Sequence, residues 1–243
     1  FSYFPTDSAR ALVAPLLRVL EDHGGQVTLG ARVTHLARTA AGWQVTVNTD
    51  DQTPYVLTTP QLILATDAPA TETLLRISPD TAAQAEGLRL PGGWPSAVIR
   101  LWFSRAPERR GAEAGIFSGD FVLDNFFWLH RIYEDYIRWA RVTGGSALEA
   151  HLYGPPDLLA QPDAALLTHA ITDVTRAWPE LRGHVLHVAV TRNDATHTLL
   201  HAGRPAEHLG VITPWPGLFC CGDWVRDSNP AMFMERACVT GIK

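Results

Sequence analysis

Two short, unbroken apolar runs constrain this chain more than any other feature: residues 61–66, Gln-Leu-Ile-Leu-Ala-Thr, and residues 218–221, Leu-Phe-Cys-Cys. Runs of this length that do not alternate suit strands covered on both faces, the setting of an α/β sheet flanked by helices. Each also ends in small residues, Ala65-Thr66 and Gly222-Asp223, where a ligand can approach the backbone.

The rest of the pattern is mixed. Residues 8–23 carry a helical stripe of Leu12, Val13, Leu16, Leu17 and Leu20. Asp7 or Ser8 is placed to cap it and Gly24-Gly25 to end it, while Pro15 either kinks the helix or moves its start. From residue 26 to 66 the period falls to two, with Val27 and Leu29, Val33 to Leu36, and Trp43, Val45 and Val47 separated by turns. This predicts a β-meander leading into the first apolar run. Helices are expected over 68–77, 79–88, 129–141 and 164–178, and strands over 96–104, 116–123, 148–153 and 185–191. The Pro91-Gly92-Gly93 break divides the chain into 1–90, 91–208 and a tail, 209–243, that returns to the first unit. The fold class is therefore α/β with an α+β mixture of sheets.

Composition closes several routes. The single lysine is Lys243, the last residue, so Schiff-base and phosphate-loop lysine chemistry is excluded. Three cysteines, Cys220, Cys221 and Cys238, suit a reduced, cytoplasmic setting rather than a disulfide framework. A net charge of -5 with scattered arginines gives no nucleic-acid face. His197 and His201, with His208, have helical or loop spacing but no Glu or Cys at ligand distance, so no metal is assigned. Asp120 with Asp124, and Glu134 with Asp135, read equally as solvated positions. Aromatics crowd between Phe117 and Trp139, including Phe121, Phe126, Phe127, Trp128, Tyr133 and Tyr136. Composition leaves open whether they form a core, a partner surface or an apolar substrate channel.

The second apolar run opens the most informative segment. A strand over 218–221 runs into Gly222-Asp223, then a loop, then Pro230, a residue suited to a first helical turn. Free N–H groups at that helix start favour an electron-rich ligand edge, and Asp223 is suited to accept ligand hydroxyls. The ending Gly222-Asp223 with Met234-Glu235-Arg236-Ala237 resembles the closing FAD-binding motif of the flavin amine oxidase and phytoene desaturase superfamily. Asp124-Asn125-Phe126-Phe127-Trp128-Leu129, His151-Leu152-Tyr153-Gly154-Pro155-Pro156 and Ala177-Trp178-Pro179-Glu180-Leu181 resemble its carotenoid desaturase and ring-aromatising carotenoid synthase branch.

That resemblance implies an FAD cofactor. Asp223 would hold the ribityl chain beside Gly222, the amides around Met234 and Glu235 would meet the pyrimidine edge, and Phe233 would wall the ring. Val33 would touch the adenine side through its backbone, and Ala65 and Thr66 would line the nucleotide approach. Phe117, Phe121, Phe126, Phe127 and Trp128 would form a substrate wall; no catalytic residue is assigned. Arg236 departs from the glycine usual after Met-Glu, so the helix surface near the flavin would differ. The chain carries no Gly-x-Gly-x-x-Gly and opens on Phe1 inside globular sequence, so it reads as the C-terminal part of a longer flavoprotein whose upstream region completes the cofactor site.

The expected activity is hydride removal from an apolar carotenoid or isoprenoid substrate, with peripheral membrane contact implied because such substrates reside in bilayers. Amine oxidation and a non-catalytic binding module of the same fold are the alternatives; the terminal position of the lone lysine weighs against the first.

Overall fold

The computed structural model describes residues 4–50, 53–108, 111–199 and 207–243. A π-turn, Ala9–Val13, leads into α1 (Ala14–Asp22). Next come β1 (Ala31–Thr39), β2 (Gly42–Thr49), β3 (Tyr55–Thr59), β4 (Leu62–Leu64), α2 (Ala68–Ile77) and α3 (Pro79–Ala85). Then follow β5 (Gly92–Phe103), β6 (Ala114–Ile116), β7 (Asn125–Trp128), α4 (Leu129–Ile132), α5 (Glu134–Thr143), β8 (Ser146–Leu152), α6 (Pro156–Leu159) and α7 (Asp163–Ala177). β9 (Val185–Leu199), β10 (Leu218–Cys220) and α8 (Phe233–Ile242) are the last elements.

Two compact units emerge, one from residues 1–27 and 95–194, the other from 28–94 and 195–243. The first 27 residues thus leave the company that the 1–90 grouping gave them. Their anchor is the open first turn of α5, where the Glu134 amide donates to the Pro5 carbonyl at 2.9 Å. The second boundary also moves, because residues 195–208 join the tail. His197 falls in β9, but its side chain and the whole of His201 lie outside the described residues. Pro15 resolves its ambiguity by sitting in the first turn of α1, with the turn before it widened to π-type.

The unit of residues 28–94 and 195–243 holds the meander. β1 pairs antiparallel with β2 and β2 with β3. The period of two puts Trp43, Val45 and Val47 inside, as alternation requires. Val27 and Leu29 precede the first strand and are exposed. Trp43 is fully buried and its indole N–H donates to the Pro216 carbonyl at 3.1 Å, tying the meander to the tail. β4 and β10 form a parallel pair, Leu62 opposite Leu218 and Leu64 opposite Cys220. Leu64, Leu218 and Cys220 are buried, but Ile63 is 61% exposed, against the expectation of cover on both faces. The pleat turns Ile63 away from the core, where it lines a largely apolar cavity of about 300 Å³ with Val211, Phe219 and Cys221.

The unit of residues 1–27 and 95–194 is built on a five-stranded sheet in the order β6-β7-β8-β5-β9. Ala97, Ile99 and Leu101 of β5 and Leu148, Ala150 and Leu152 of β8 share one face, packed with Leu166, Ala170 and Val174 of α7. The strand expected over 116–123 is not formed; β6 ends at Ile116 and β7 begins at Asn125. The cause is Asp173, 4% exposed on α7, whose carboxylate takes the amides of Val122 and Leu123 at 2.6 and 3.0 Å. Arg176 adds a hydrogen bond to the Asp120 carbonyl and stacks 3.8 Å from the Phe121 ring centre. Backbone donors satisfied by a side chain have no need of a neighbouring strand.

Candidate functional site

The carboxyl ends of parallel strands leave backbone groups and loops facing a common crevice, the usual ligand position of α/β sheets. β4 and β10 end this way side by side, and the Cys221 amide extends their ladder to the Leu64 carbonyl at 3.0 Å. Trp224, 2% exposed, continues the join through its indole N–H, which donates to the Thr66 carbonyl at 2.8 Å. Ala65, Thr66, Gly222 and Asp223 are thereby brought together, with Ala65 and Thr66 left exposed.

Gly222 stands at φ +150°, and a Cβ there would come within 3.0 Å of the Trp224 indole nitrogen. Only glycine accommodates both the conformation and the close approach. Its amide donates to the Thr240 hydroxyl at 3.0 Å, and Thr240 is 1% exposed in the last turn of α8. The helix is therefore clamped to the strand end at its C-terminal side. From Thr240 back to Phe233 the axis rises roughly 10 Å at about 1.5 Å per residue.

That distance separates two kinds of ligand-binding group. Near the clamp is Asp223, half-buried, with Oδ1 accepting from the Thr198 hydroxyl at 2.9 Å. At the far end is the first turn of α8, which has no side-chain cap on its amides. Around it Met232, Phe233 and Met234 are exposed, at 49%, 55% and 70%. Phe233 takes φ +53°, a left-handed conformation that costs a non-glycine residue roughly 1–3 kcal/mol. An apolar rim around the first turn of a helix, with a carboxylate beside the strand end to which that helix is clamped, suits a planar ring with a polar edge and a hydroxylated tail. Glu235 is exposed in the same first turn. The helix does not begin at Pro230 as expected. Asp227 takes the Asn229 amide and Asn229 takes the Ala231 amide, two consecutive Asx turns that delay the helix to Phe233. Lys243 pairs with Asp227 at 2.5 Å.

Val33 belongs to the separate three-stranded sheet, at the register shift between Val33 and His35 of β1, and is 41% exposed. Of the cysteines, Cys220 is buried and its thiol is pushed up to about 12 by that burial, so it packs rather than reacts.

Within β7 the aromatic residues separate by strand parity, Phe126 and Trp128 to one face and Phe127 to the other. Phe117, Phe121, Phe126 and Trp128 join Trp178 in one packed group, with ring centres 4.8 to 6.4 Å apart. Phe117, Phe126, Trp128 and Trp178 belong to the core of the unit of residues 1–27 and 95–194, where Trp128 is 1% exposed. Phe127 points to the opposite face, 5.3 Å from the His151 ring.

That opposite face carries groups the sequence reading passed over. Arg100 of β5 is opposite Glu149 of β8, and Nε donates to Glu149 Oε2 at 2.6 Å. Glu149 Oε1 meets His151 Nε2 at 3.1 Å, and His151 Nδ1 meets the Tyr153 hydroxyl at 3.0 Å. The pair Arg100–Glu149 borders a cavity of about 330 Å³ walled by Tyr133, Tyr136, Asp7 and Asp135. Burial works to raise the Glu149 carboxyl, but hydrogen bonds from His151 and Arg100 outweigh it and hold the group below its ordinary range. Burial and the Glu149 charge push the Tyr133 phenol up. The signal was present at positions 149, 151 and 153, a polar i, i+2, i+4 row whose first two members share one face of β8 and whose third follows its end.

The model of the flavin containing amine oxidoreductase family matches residues 2–243. The chain is 34% identical over 240 residues to the carotenoid phi-ring synthase of Streptomyces griseus, covering 96% of this chain and 44% of that protein. It is 26% identical over 147 residues to the carotenoid phi-ring synthase of Chlorobaculum tepidum, covering 60% of this chain and 23% of that protein. The chain thus spans less than half the length of these relatives. Its fold is similar to that of a crystal structure of an oxidoreductase from Methanosarcina mazei, with a TM-score of 0.60 at 14% identity, over 96% of this chain and 53% of that one.

Proposed function

This chain belongs to the flavin containing amine oxidoreductase family, and from that premise we propose that it forms part of an FAD-dependent oxidoreductase that takes hydride from an apolar carotenoid or isoprenoid substrate. The observation that carries the reading is the strand-end carboxylate of Asp223 tied, through Gly222 and Thr240, to a helix whose first turn is ringed by the exposed apolar side chains of Met232, Phe233 and Met234. The names of the two relatives supply the substrate class.

Bound there, the flavin would supply the two-electron acceptor. The residues supply placement. Asp223 would accept hydrogen bonds from the hydroxyls of the tail, and Thr198 fixes one of its oxygens. The first turn of α8 and the positive end of its dipole would hold an electron-rich ring edge. Phe233 and Met234 offer apolar contact, and Gly222 lets the main chain approach closely. Val33 and Ala65–Thr66 serve the nucleotide side in this reading. Orientation alone contributes on the order of 7–11 kcal/mol to such a reaction, so it needs few reactive side chains.

The test is the full-length protein, purified with FAD and given either a carotenoid or a panel of amines. A shift of the polyene absorption without hydrogen peroxide supports the reading; peroxide formation with amines and an unchanged polyene spectrum replaces it with amine oxidation.

A further inference from the structure

The cavity of about 330 Å³ beside the five-stranded sheet plays no part in the flavin reading, and it lies wholly within the unit of residues 1–27 and 95–194. It stands on the face turned away from α7. Ile99 and Leu101 of β5 and Leu148 and Ala150 of β8 enter the core, so alternation sends Arg100 and Glu149 the other way. We propose that this cavity binds a neutral, apolar ring carrying a carbonyl oxygen, with Arg100 and the hydroxyls of Tyr133 and Tyr136 donating to that oxygen.

Charge sets the first requirement. Three carboxylates stand in the wall, and each already holds an arginine: Asp7 with Arg10 at 3.4 Å, Asp135 with Arg138 at 2.5 Å and Glu149 with Arg100 at 2.6 Å. The second Glu149 oxygen is engaged as well, by His151 Nε2 at 3.1 Å. Neither a cation nor an anion finds an unbalanced counter-charge here, and a charge taken from water without one is costly. The guest is therefore neutral.

Hydrogen-bonding capacity sets the second. Arg100 spends Nε on Glu149, and among the described residues neither of its Nη groups nor the hydroxyl of Tyr133 or Tyr136 has a hydrogen-bond partner. Burial and the Glu149 charge push the Tyr133 phenol up, which keeps it a donor. A guanidinium can only donate, so the guest has to present an acceptor, and a carbonyl oxygen has lone pairs for Arg100 and a phenol at once.

Size and lining set the third. About 330 Å³ is at the small end of ligand pockets, room for one substituted ring rather than a long chain. Leu129 and the rings of Tyr133 and Tyr136, with centres 6.4 Å apart, supply apolar contact. Tyr136 also borders a second cavity of about 210 Å³ walled by Trp102 and Trp139, and Trp102 stacks on Tyr136 with ring centres 6.4 Å apart and planes at 24°. An apolar substituent on the ring has that aromatic chamber to extend into.

The test uses the full-length protein and isophorone, a methylated cyclohexenone, as the probe, with binding measured by calorimetry in the presence and absence of FAD. Isophorone should bind about 10-fold or more tightly than trimethylcyclohexene, cyclohexanecarboxylate or cyclohexylammonium, the first lacking the acceptor and the others carrying a charge. The double variant Tyr133→Phe with Tyr136→Phe keeps both rings and should lose about 10-fold in affinity. Arg100→Lys keeps a charge beside Glu149 without the planar fork and should lose a similar factor. In protein labelled with 3-fluorotyrosine, the fluorine signals of Tyr133 and Tyr136, identified by their loss in the two single Phe variants, should shift as isophorone is added. Unshifted signals, affinity unchanged in both variants, or equal or tighter binding of the hydrocarbon, the carboxylate or the ammonium overturns the proposal. Where a variant unfolds, as its circular-dichroism melt shows, the comparison of the probes on the wild type decides. A protein that binds FAD and shows no preference for the ketone overturns this site and leaves the flavin reading standing; one that binds the ketone and takes up no FAD does the reverse.

Discussion

Thr240 ties two elements with one hydroxyl, accepting from the Gly222 amide while buried in the last turn of α8. Valine has nearly the same shape and no acceptor, so Thr240→Val leaves a partly buried amide without its partner. The expected loss is about 1–3 kcal/mol, read from a urea unfolding curve. Asp223 is a different case, since its side chain is half-buried and one oxygen is already engaged by Thr198. Asp223→Ala in the full-length protein should weaken FAD binding by about 10- to 100-fold, the equivalent of one hydrogen bond to a charged acceptor, measured by quenching of flavin fluorescence. These residues were visible in the sequence because Gly-Asp after an apolar run is a chemical statement in itself. Thr240 was not, because nothing about a threonine in a helix announces a partner 18 positions earlier.

At the scale of the element, α7 decides what residues 117–124 become. Asp173→Ala removes the acceptor of two backbone amides, one of them on Leu123, which is 2% exposed. Stability should fall by about 2–4 kcal/mol, measured by thermal or urea unfolding. β8 carries a pH dependence instead. The Glu149 carboxyl titrates below its ordinary 4.5 in the folded chain, so its contribution is full above that value and is lost as pH falls through the depressed one. Glu149→Gln should therefore flatten the acid limb of stability between about pH 5 and the point of acid unfolding, followed by circular dichroism. Alternation made β2 legible, since Trp43, Val45 and Val47 obey a period of two. Propensity misled at 116–123, where Ile116, Phe117, Phe121 and Val122 have strand-forming side chains but a distant carboxylate holds the backbone. The helix start was misplaced for the same kind of reason: proline at 230 is permissive, while the side chains of Asp227 and Asn229 actually direct the amides. The Arg100–Glu149 contact depends on strand pairing across 49 positions, which no local pattern encodes.

For the whole molecule, the decisive fact is that neither unit is a continuous stretch of chain. One is closed by residues 1–27 and 95–194, the other by 28–94 and 195–243. The sequence revealed the return of the tail, through its apolar run, but not the company kept by the first 27 residues, whose stripe is compatible with any apolar partner. Deleting residues 209–243 removes β10, Trp215 and Trp224 from the cluster around Trp43. The expected result is loss of the cooperative unfolding of that unit, with red-shifted tryptophan emission, while the five-stranded sheet keeps its far-ultraviolet signal. The interleaving also has a consequence for biosynthesis. Trp43 leaves the ribosome long before Pro216, the residue whose carbonyl receives its indole N–H. At about 5–20 residues per second, residues 28–94 wait on the order of 7–30 s for residue 243. Throughout that interval a greasy, half-made surface stays uncovered, and a chaperone has a long window in which to hold it.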